Sequence, residues 1–501
     1  MNSMKVIFRA DASTMIGTGH IMRCLVVADA LREQNYAVSF ACIPQEGDMI
    51  PYIENRGYEV LTLSASSDLP NVDELNYSTW LLQSEGDDAI EFAHLVGSAE
   101  IVVVDHYAIG KSWHKQVINQ LNCFLVAIDD LVREHHADLI IDQTLGRTPE
   151  EYSGRGKVLS GIDYAMVAPK FSKLRSQAVS KVFNDKKPKI LVSMGGGDQQ
   201  NATLQSLQAL VGQVDANFTV LLGPRSPHLQ IVRDWCALHE NIEHKEFESD
   251  MARLMLEHDI AIGAPGTTSW ERACLGLPSI LIPLADNQKT VCEQLLKCDA
   301  VLTVSLNEIG NSLLNQYYEL VSRWAQYHAN NLKLCDGLGT QRVVVEMRKN
   351  FKPKASIDLS LRQATQNDIK IVYDWQSHPS TRKFALNTEV PSWDSHYRWM
   401  SQRLESKCDY FYIIFDSGSG DKLGVLRLDL TEPGNYLISI YVSPEHCGRG
   451  IALAALNIVS ELHSDMTLHA TVLEENTASH RLFKKAKFIQ IDSRSYIRYA
   501  S

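Results

Sequence analysis

The sequence predicts an α/β protein: two successive series of βα units, then a smaller α+β domain. Three observations carry that reading. Over the first two thirds, short apolar runs alternate with amphipathic helical periodicity, the pattern of helices covering a mainly parallel sheet. Two polar, lysine-bearing stretches, at residues 172–189 and 348–356, interrupt the alternation. After the second, helical segments precede three strands of alternating polarity, as in an α+β domain. The 501 residues make about three domains at roughly 150 residues each, placed at 1–170, 171–350 and 358–501.

In the first series the strand candidates are residues 5–10, 37–42, 101–105, 124–129 and 138–142. In the second they are 189–195, 218–223, 259–263, 279–284 and 301–305. The third domain has helical periodicity over 367–376 and 393–404 and strands over 410–415, 422–430 and 436–442, then a turn and a long helix. Its roughly 145 residues suffice to bury a core of their own.

Lys and Arg total 48 against 60 Asp and Glu, and the formal charge of −12 argues against nucleic acid or an anionic membrane as partner. No apolar run approaches the ~20 residues needed to cross a bilayer. Residues 1–25 enter a strand-like segment without the charged and apolar regions of a signal peptide. The ten cysteines include no CxxC pair, so neither a zinc ribbon nor a disulfide framework is expected. The chain reads as cytoplasmic.

The turn after the first strand carries the first chemistry. Gly17-Thr18-Gly19-His20 leaves the strand and opens a helix whose apolar positions include Ile21, Leu25 and Leu31. The glycines let the backbone approach a ligand, and the free N–H groups of a helix start favour an anion. A histidine there is biased towards neutral imidazole, which accepts a proton from water. A tight βα turn without chemistry would give the same pattern. Asp11 is placed to hydrogen-bond a sugar hydroxyl or orient His20, or simply to cap the turn. Asp105 and His106 end another strand, at the carboxyl edge where ligands of open α/β sheets bind.

The second series offers a place for a nucleotide diphosphate. Gly195-Gly196-Gly197 follows a strand and leaves amides open to phosphate oxygens. Gly266-Thr267-Thr268 opens a helix after another strand, with Glu271 one turn in. The turn amides suit the diphosphate and Glu271 the ribose hydroxyls; a surface Glu favoured by the helix dipole is the alternative. Asn287-Gln288 follows the next strand. No DxD or clustered His and Asp spacing points to a metal, Asp129-Asp130 being the place to look for one. In the third domain, residues 438–442 lead into Glu445-His446-Cys447-Gly448-Arg449-Gly450-Ile451-Ala452, where small residues let helix-start amides surround a pyrophosphate.

The string from Arg9 to Cys24, with Met22-Arg23-Cys24 after the histidine, resembles the UDP-sugar hydrolases of pseudaminic acid biosynthesis. The likeness runs through Val104-Asp105-His106-Tyr107, Ile128-Asp129-Asp130 and Asp142-Gln143 and covers about residues 1–345. That family, similar to the peptidoglycan N-acetylglucosaminyltransferase, has two Rossmann-like halves in a glycosyltransferase-B arrangement with its site in the cleft between them. The resemblance implies that His20 is the catalytic base and that Glu271 binds ribose. It further implies that Asn287 is a second polar group at the reacting centre, with Gln288 facing the sugar and pyrophosphate. Gly17, Gly19, Arg23, Asp105, His106, Gly195, Gly196, Gly197, Gly266, Thr267 and Thr268 would line the UDP-sugar site, with Asp11 beside the base and no metal.

Residues 445–452 resemble the acetyl-CoA loop of the Gcn5-related N-acetyltransferases, and residues 476–488 resemble their second CoA-contacting helix. This implies acetyl-CoA as cosubstrate, held by Tyr441, Val442, Cys447, Gly448, Arg449, Gly450, Ile451, Ala452 and Asn476. Two residues depart from that pattern: Cys447 where Arg or Gln is usual, and Phe483 where many members carry the tyrosine that protonates the departing thiolate. Tyr441, Tyr496, Tyr499 and His446 are left for proton transfer. Together the resemblances imply a bifunctional enzyme that acetylates a UDP-linked 4-amino deoxysugar and then hydrolyses UDP from the product with inversion. The rival reading is a glycosyltransferase-B-type sugar transferase carrying a catalytically silent CoA-binding module.

Overall fold

The computed structural model describes residues 3–66, 76–195, 197–285, 287–351 and 358–500. The chain forms two compact units, Met1–Val344 and Val345–Ser501. The first unit contains two parallel sheets. Strands β1 (Lys5–Ala10), β2 (Ala37–Cys42), β3 (Glu59–Thr62), β4 (Ile101–Asp105), β5 (Phe124–Ile128), β6 (His135–Asp142) and β7 (Gly154–Ser160) lie in the order β3-β2-β1-β4-β5-β6-β7. Strands β8 (Lys189–Ser193), β9 (Asn217–Leu221), β10 (Ile242–Lys245), β11 (Ile260–Gly263), β12 (Ser279–Leu281) and β13 (Val301–Thr303) lie in the order β10-β9-β8-β11-β12-β13.

Central strands such as Ile101-Val102-Val103-Val104-Asp105 are buried along their whole length, because helices cover both faces of a parallel sheet. The strands the sequence reading passed over, β3, β7 and β10, are sheet edges, and polar residues such as those of Ile242-Glu243-His244-Lys245 mask their apolar periodicity. β6 begins at His135 rather than at residue 138. The helix Pro169–Val179 packs Phe171 and Ala178 into the core of the second sheet with Leu191 and Trp270, so the second half begins before Pro169. The helices that position the sites are α1 (Gly19–Glu33), α2 (Glu85–Val96), α3 (Ala202–Leu210), α4 (Thr267–Cys274) and α5 (Asn287–Lys297).

The division between units falls within the helix Gly339–Lys349, and residues 352–357 of the expected linker lie outside the described residues. The second unit has strands β14 (Leu359–Gln363), β15 (Tyr410–Asp416), β16 (Lys422–Glu432), β17 (Asn435–Val442), β18 (Thr467–Thr471), β19 (Ile489–Gln490) and β20 (Ser495–Arg498), in the order β14-β15-β16-β17-β18-β20-β19. Its helices include α6 (Ile369–Ser377), α7 (Pro379–Arg382), α8 (Trp393–Leu404), α9 (Ile451–Leu462) and α10 (Thr477–Lys485). Side chains alternate across β15: Phe411 and Ile413 pack on α6 and α8, whereas the Tyr412 hydroxyl meets His463, at the end of α9, at 2.9 Å. β17 and β18 are parallel but pair only from Asn435 to Leu437, so the edge of β17 facing β18 is unpaired from Ile438 to Val442. No helix among the described residues is long and apolar enough to cross a membrane.

Candidate active sites

In the first sheet the strand order reverses between β1 and β4, so the turns after Ala10 and Asp105 meet at the carboxyl edge. Ser13 closes the first turn: its hydroxyl oxygen accepts from the N–H of Met15 and Ile16 at 3.2 and 3.0 Å. Its carbonyl accepts from the N–H of Gly17, whose φ of +77° suits glycine. His20 then falls in the first turn of α1, 6% exposed, with Nδ1 2.6 Å from Asp105 Oδ1. Burial pushes the Asp105 carboxyl up, but Arg23 and His20 together outweigh it and hold it well below the usual carboxylate range. An ionised Asp105 can only accept, so His20 carries a proton on Nδ1, and the neutral ring presents the lone pair of Nε2.

Arg23, one turn along α1, donates from Nε and Nη2 to both oxygens of Asp105, each at 2.5 Å, and from Nη1 to Asp130 at 3.0 Å. The Tyr107 ring stands edge-on to the imidazole at 4.6 Å between centroids. The sequence reading gave Tyr107 no role; its position directly after Asp105-His106 is the signal that was there.

Asp11 corrects the expectation. Its carboxylate is fully buried, accepting from the Ile43 N–H at 2.8 Å and pairing with Arg9 at 2.8 Å, and Asp105 takes the orienting role instead. Burial outweighs Arg9 and pushes the Asp11 carboxyl up. Arg9 in turn pairs with Asp88 on α2 at 2.7 Å, so the group braces the strand ends. His106 is 1% exposed; its Nδ1 accepts from the Ala108 N–H at 3.1 Å and its Nε2 lies 3.4 Å from Asp11. Burial holds it well below the usual imidazole range. Neither Asp11 nor His106 offers surface to a sugar. Asp129 accepts from Arg133 and Tyr152, and Asp130 from Arg23, so the adjacent carboxylates serve different partners.

In the second sheet the order reverses between β8 and β11, whose carboxyl ends, Ser193 and Gly263, lie side by side. The two helix starts differ. Asp198 caps α3, its oxygens accepting from the N–H of Ala202 and Thr203 at 2.7 and 3.0 Å, so that positive end already holds a carboxylate. At α4 the capping position is Gly266, which has no side chain, and the Ser269 hydroxyl accepts from the Gly266 N–H at 3.2 Å. The α4 start, at Thr267 and Thr268, has no carboxylate bonded to its amides among the described residues. Gly266 has an extended backbone that any residue adopts, and a Cβ there would meet nothing within 4 Å. Neither neighbouring atoms nor the backbone conformation calls for glycine at this position.

Glu271 is half-buried, its carboxyl accepts no hydrogen bond among the described residues, and burial pushes that carboxyl up to about 7, only partly offset by Arg272. Gln288 departs from expectation in part: its carbonyl oxygen accepts from the Leu284 N–H at 2.8 Å and fixes the loop before α5. Gly196 and the side chain of Asn287 lie outside the described residues. The carboxyl edges of the halves face each other: Arg225, after β9, donates to the Asp48 carbonyl, after β2, at 3.1 Å.

In the second unit, Gly448 and Gly450 take φ of +81° and +80°, and α9 starts directly after them. A Cβ on either glycine would meet nothing within 4 Å. Ile451 and Ala452 form the first turn of α9, while Val442 ends β17 at its unpaired edge. Cys447 is exposed, its Sγ 3.5 Å from the Ser443 carbonyl, and Arg449 extends from the same loop. His446 is tied through Nδ1 to the Ser443 hydroxyl at 2.7 Å. The Asn476 side-chain oxygen accepts from the Ser479 N–H at 3.1 Å and caps α10. Phe483 stacks on Tyr496, 5.6 Å between centroids, and the Tyr496 hydroxyl donates to His480 Nδ1 at 2.7 Å. Tyr499 is exposed, and Tyr441 lies on the α6 and α8 face of the sheet.

The profile of the glycosyltransferase family 28 C-terminal domain matches residues 178–336, and that of the acetyltransferase (GNAT) domain matches residues 358–489. An uncharacterized protein of Methanocaldococcus jannaschii is 24% identical over 512 residues, 97% of this chain and 96% of that protein. The UDP-2,4-diacetamido-2,4,6-trideoxy-beta-L-altropyranose hydrolase of Campylobacter jejuni is 27% identical over 300 residues, 59% of this chain and 97% of that protein. The crystal structure of Acinetobacter baumannii MurG, 18% identical, covers 70% of this chain and 100% of its own with a TM-score of 0.50, which speaks to fold alone. The chain thus joins two Rossmann-like halves of glycosyltransferase-B type to an acetyltransferase domain, the architecture expected from its motifs.

Proposed function

We propose that this chain acetylates UDP-4-amino-4,6-dideoxy-N-acetyl-β-L-altrosamine with acetyl-CoA and hydrolyses the resulting UDP-2,4-diacetamido-2,4,6-trideoxy-β-L-altropyranose to free sugar and UDP. The observation that carries the hydrolytic step is the His20 imidazole clamped at Nδ1 by Asp105, with Nε2 left as base. The hydrolase named among its relatives supports the substrate. Water attacks C1, its proton passes to His20 Nε2, and the bond from C1 to the diphosphate oxygen breaks. Amides at the start of α4 stabilise the charge that grows on departing UDP more than they stabilise the substrate. Attack from the face opposite UDP inverts C1.

In the acetyltransferase domain the sugar amine attacks the thioester carbonyl, the C–S bond breaks, and the proton lost from the amine nitrogen ends on the departing thiolate, giving the amide and CoA. The glycine loop before α9 receives the pyrophosphate of acetyl-CoA, and the unpaired edge of β17 lies beside its pantetheine arm. Phe483 has no proton to give the thiolate. Fusion raises the effective concentration of the acetylated intermediate at the second site without any further contact.

The test is incubation with the UDP-linked amino sugar, followed by NMR. CoA release should precede UDP release, UDP should appear without any sugar acceptor, and the first-formed anomer should be inverted. A requirement for an acceptor would assign a glycosyltransferase, and retention would exclude direct attack by water.

Glu271 sets a pH dependence. Its carboxyl, pushed up to about 7 in the free protein, accepts from ribose hydroxyls on both oxygens, and more strongly, when ionised. UDP binding therefore releases a proton, and affinity rises with pH through about 7. Product inhibition by UDP should strengthen roughly tenfold between pH 6 and pH 8. In Glu271→Gln this component should vanish, while ionisation of UDP itself, common to both proteins, cancels in the ratio. A ratio independent of pH would remove Glu271 from the ribose site.

A further inference from the structure

Arg382, the last residue of α7, is a buried cation with no counterion among the described residues. It is 9% exposed, and its Nε and Nη1 donate to the carbonyls of Gln376 and Asn387 at 2.7 and 2.9 Å. Its Nη2 is buried without a hydrogen-bond partner, and no carboxylate pairs with it among the described residues. A guanidinium withdrawn from water in this way is costly unless an anion joins it. Arg427 of β16 is different: Asp429 neutralises it at 2.8 Å, and its guanidinium lies 5.0 Å from the Trp399 ring centroid.

The surroundings contain other polar atoms awaiting a partner. Gln376 Oε1, Ser377 Oγ and His396 Nδ1, from α6 and α8, are buried and unbonded. Tyr441 stands opposite Val425 in the β16–β17 pairing and so shares the sheet face covered by α6 and α8. The end of α9 is on the other face, where Tyr412 reaches His463. Tyr441 also lies on the strand that runs into the acetyl-CoA loop. Arg382, bonded to the Gln376 carbonyl of α6, is thus tied to the helices on the Tyr441 face of the sheet, across from the helix that follows the CoA loop. Trp393, partly exposed and edge-on to Tyr373 at 5.3 Å, continues this surface with an aromatic wall.

We propose that Arg382 recognises the acceptor, pairing through its free edge with the diphosphate of a nucleotide-linked amino sugar. This deepens the acetyl-transfer reading above and rests on it. It makes acceptor choice a matter of charge: the domain selects an amine attached to an anion over the same amine without one.

The experiment compares acetyl transfer by the full chain to the UDP-linked 4-amino sugar and to the same amino sugar without nucleotide. Arg382→Ala should raise the KM for the UDP-linked acceptor roughly tenfold to a hundredfold, the range for losing a charged hydrogen-bonding partner. It should leave the KM for acetyl-CoA and the rate on the free amino sugar unchanged, and added UDP should lose its competition with the acceptor. Arg382→Lys, which keeps the charge without the planar fork, should recover part of the loss. An unchanged acceptor KM overturns the proposal. So does a raised KM for acetyl-CoA, which would give the guanidinium to the cosubstrate, or equal loss on both acceptors, which would mean that Arg382 only holds α6 to α7. If the wild-type protein acetylates neither sugar, the acetyl-transfer reading falls and this proposal with it.

Discussion

Replacing His20 by Asn is expected to abolish UDP release while leaving acetyl transfer at the wild-type rate. The side-chain amide of Asn places a donor close to where Nδ1 stands, so Asp105 keeps its bond and Arg23 keeps its buried partner. What disappears is Nε2, the atom assigned to take the proton from water. Positioned acid–base groups contribute roughly 10²–10⁴-fold, and the loss should fall in that range. Because no buried charge is orphaned, the unfolding transition should stay close to that of the wild type. The check is a paired assay on one preparation, thiol release for acetylation and UDP release for hydrolysis, with thermal denaturation alongside. Equal loss of both activities, or UDP release near the wild-type rate, would remove His20 from the catalytic role.

The sequence was most legible where a strand buried on both faces runs into a glycine turn. Ile101 to Asp105 and residues 5–10 read as strands because parallel pairing under helices demands continuous apolar residues, and β1 and β4 prove to flank the first reversal of strand order. The same holds for β8 and β11 and the turns at Gly195 and Gly266. Edge strands such as Ile242–Lys245 were not legible, since one exposed side lets charged residues break the pattern.

The sites show the same limit. His20 stood out because its turn is local, but its orienting partner is 85 residues away in sequence, and the local pattern offered Asp11 for that role. Only the fold shows that Arg9 and Ile43 consume Asp11 and leave Asp105 to the imidazole. Arg382 had no signal at all in sequence. It is an ordinary helix-terminal arginine until burial without a counterion marks it.

Replacing Asp105 by Asn should damage both stability and hydrolysis, in contrast to the change at His20. Asp105 is the shared acceptor for His20 Nδ1 and for two nitrogens of Arg23. A carboxamide offers a single acceptor oxygen and removes the negative charge, so a buried guanidinium is left with Asp130 alone. Breaking a buried pair from one side costs about 3–5 kcal/mol, and the retained bond to Asp130 places the expected loss at the lower end. If the new N–H₂ turns to the imidazole it donates to Nδ1, moves the ring proton to Nε2 and eliminates the base, adding a loss of roughly 10²–10⁴-fold to UDP release.

The stability part has a definite pH signature. The folded protein holds the Asp105 carboxyl below its unfolded value, so its contribution is fully present above about pH 4 and is lost as pH falls through the folded value. Denaturant titrations should therefore show Asp105→Asn less stable than wild type at pH 7, with the gap closing in acid. A gap that persists unchanged at pH 3 would place the cost in packing rather than charge. Wild-type hydrolysis by Asp105→Asn below its melting temperature would show that His20 finds its tautomer without this carboxylate.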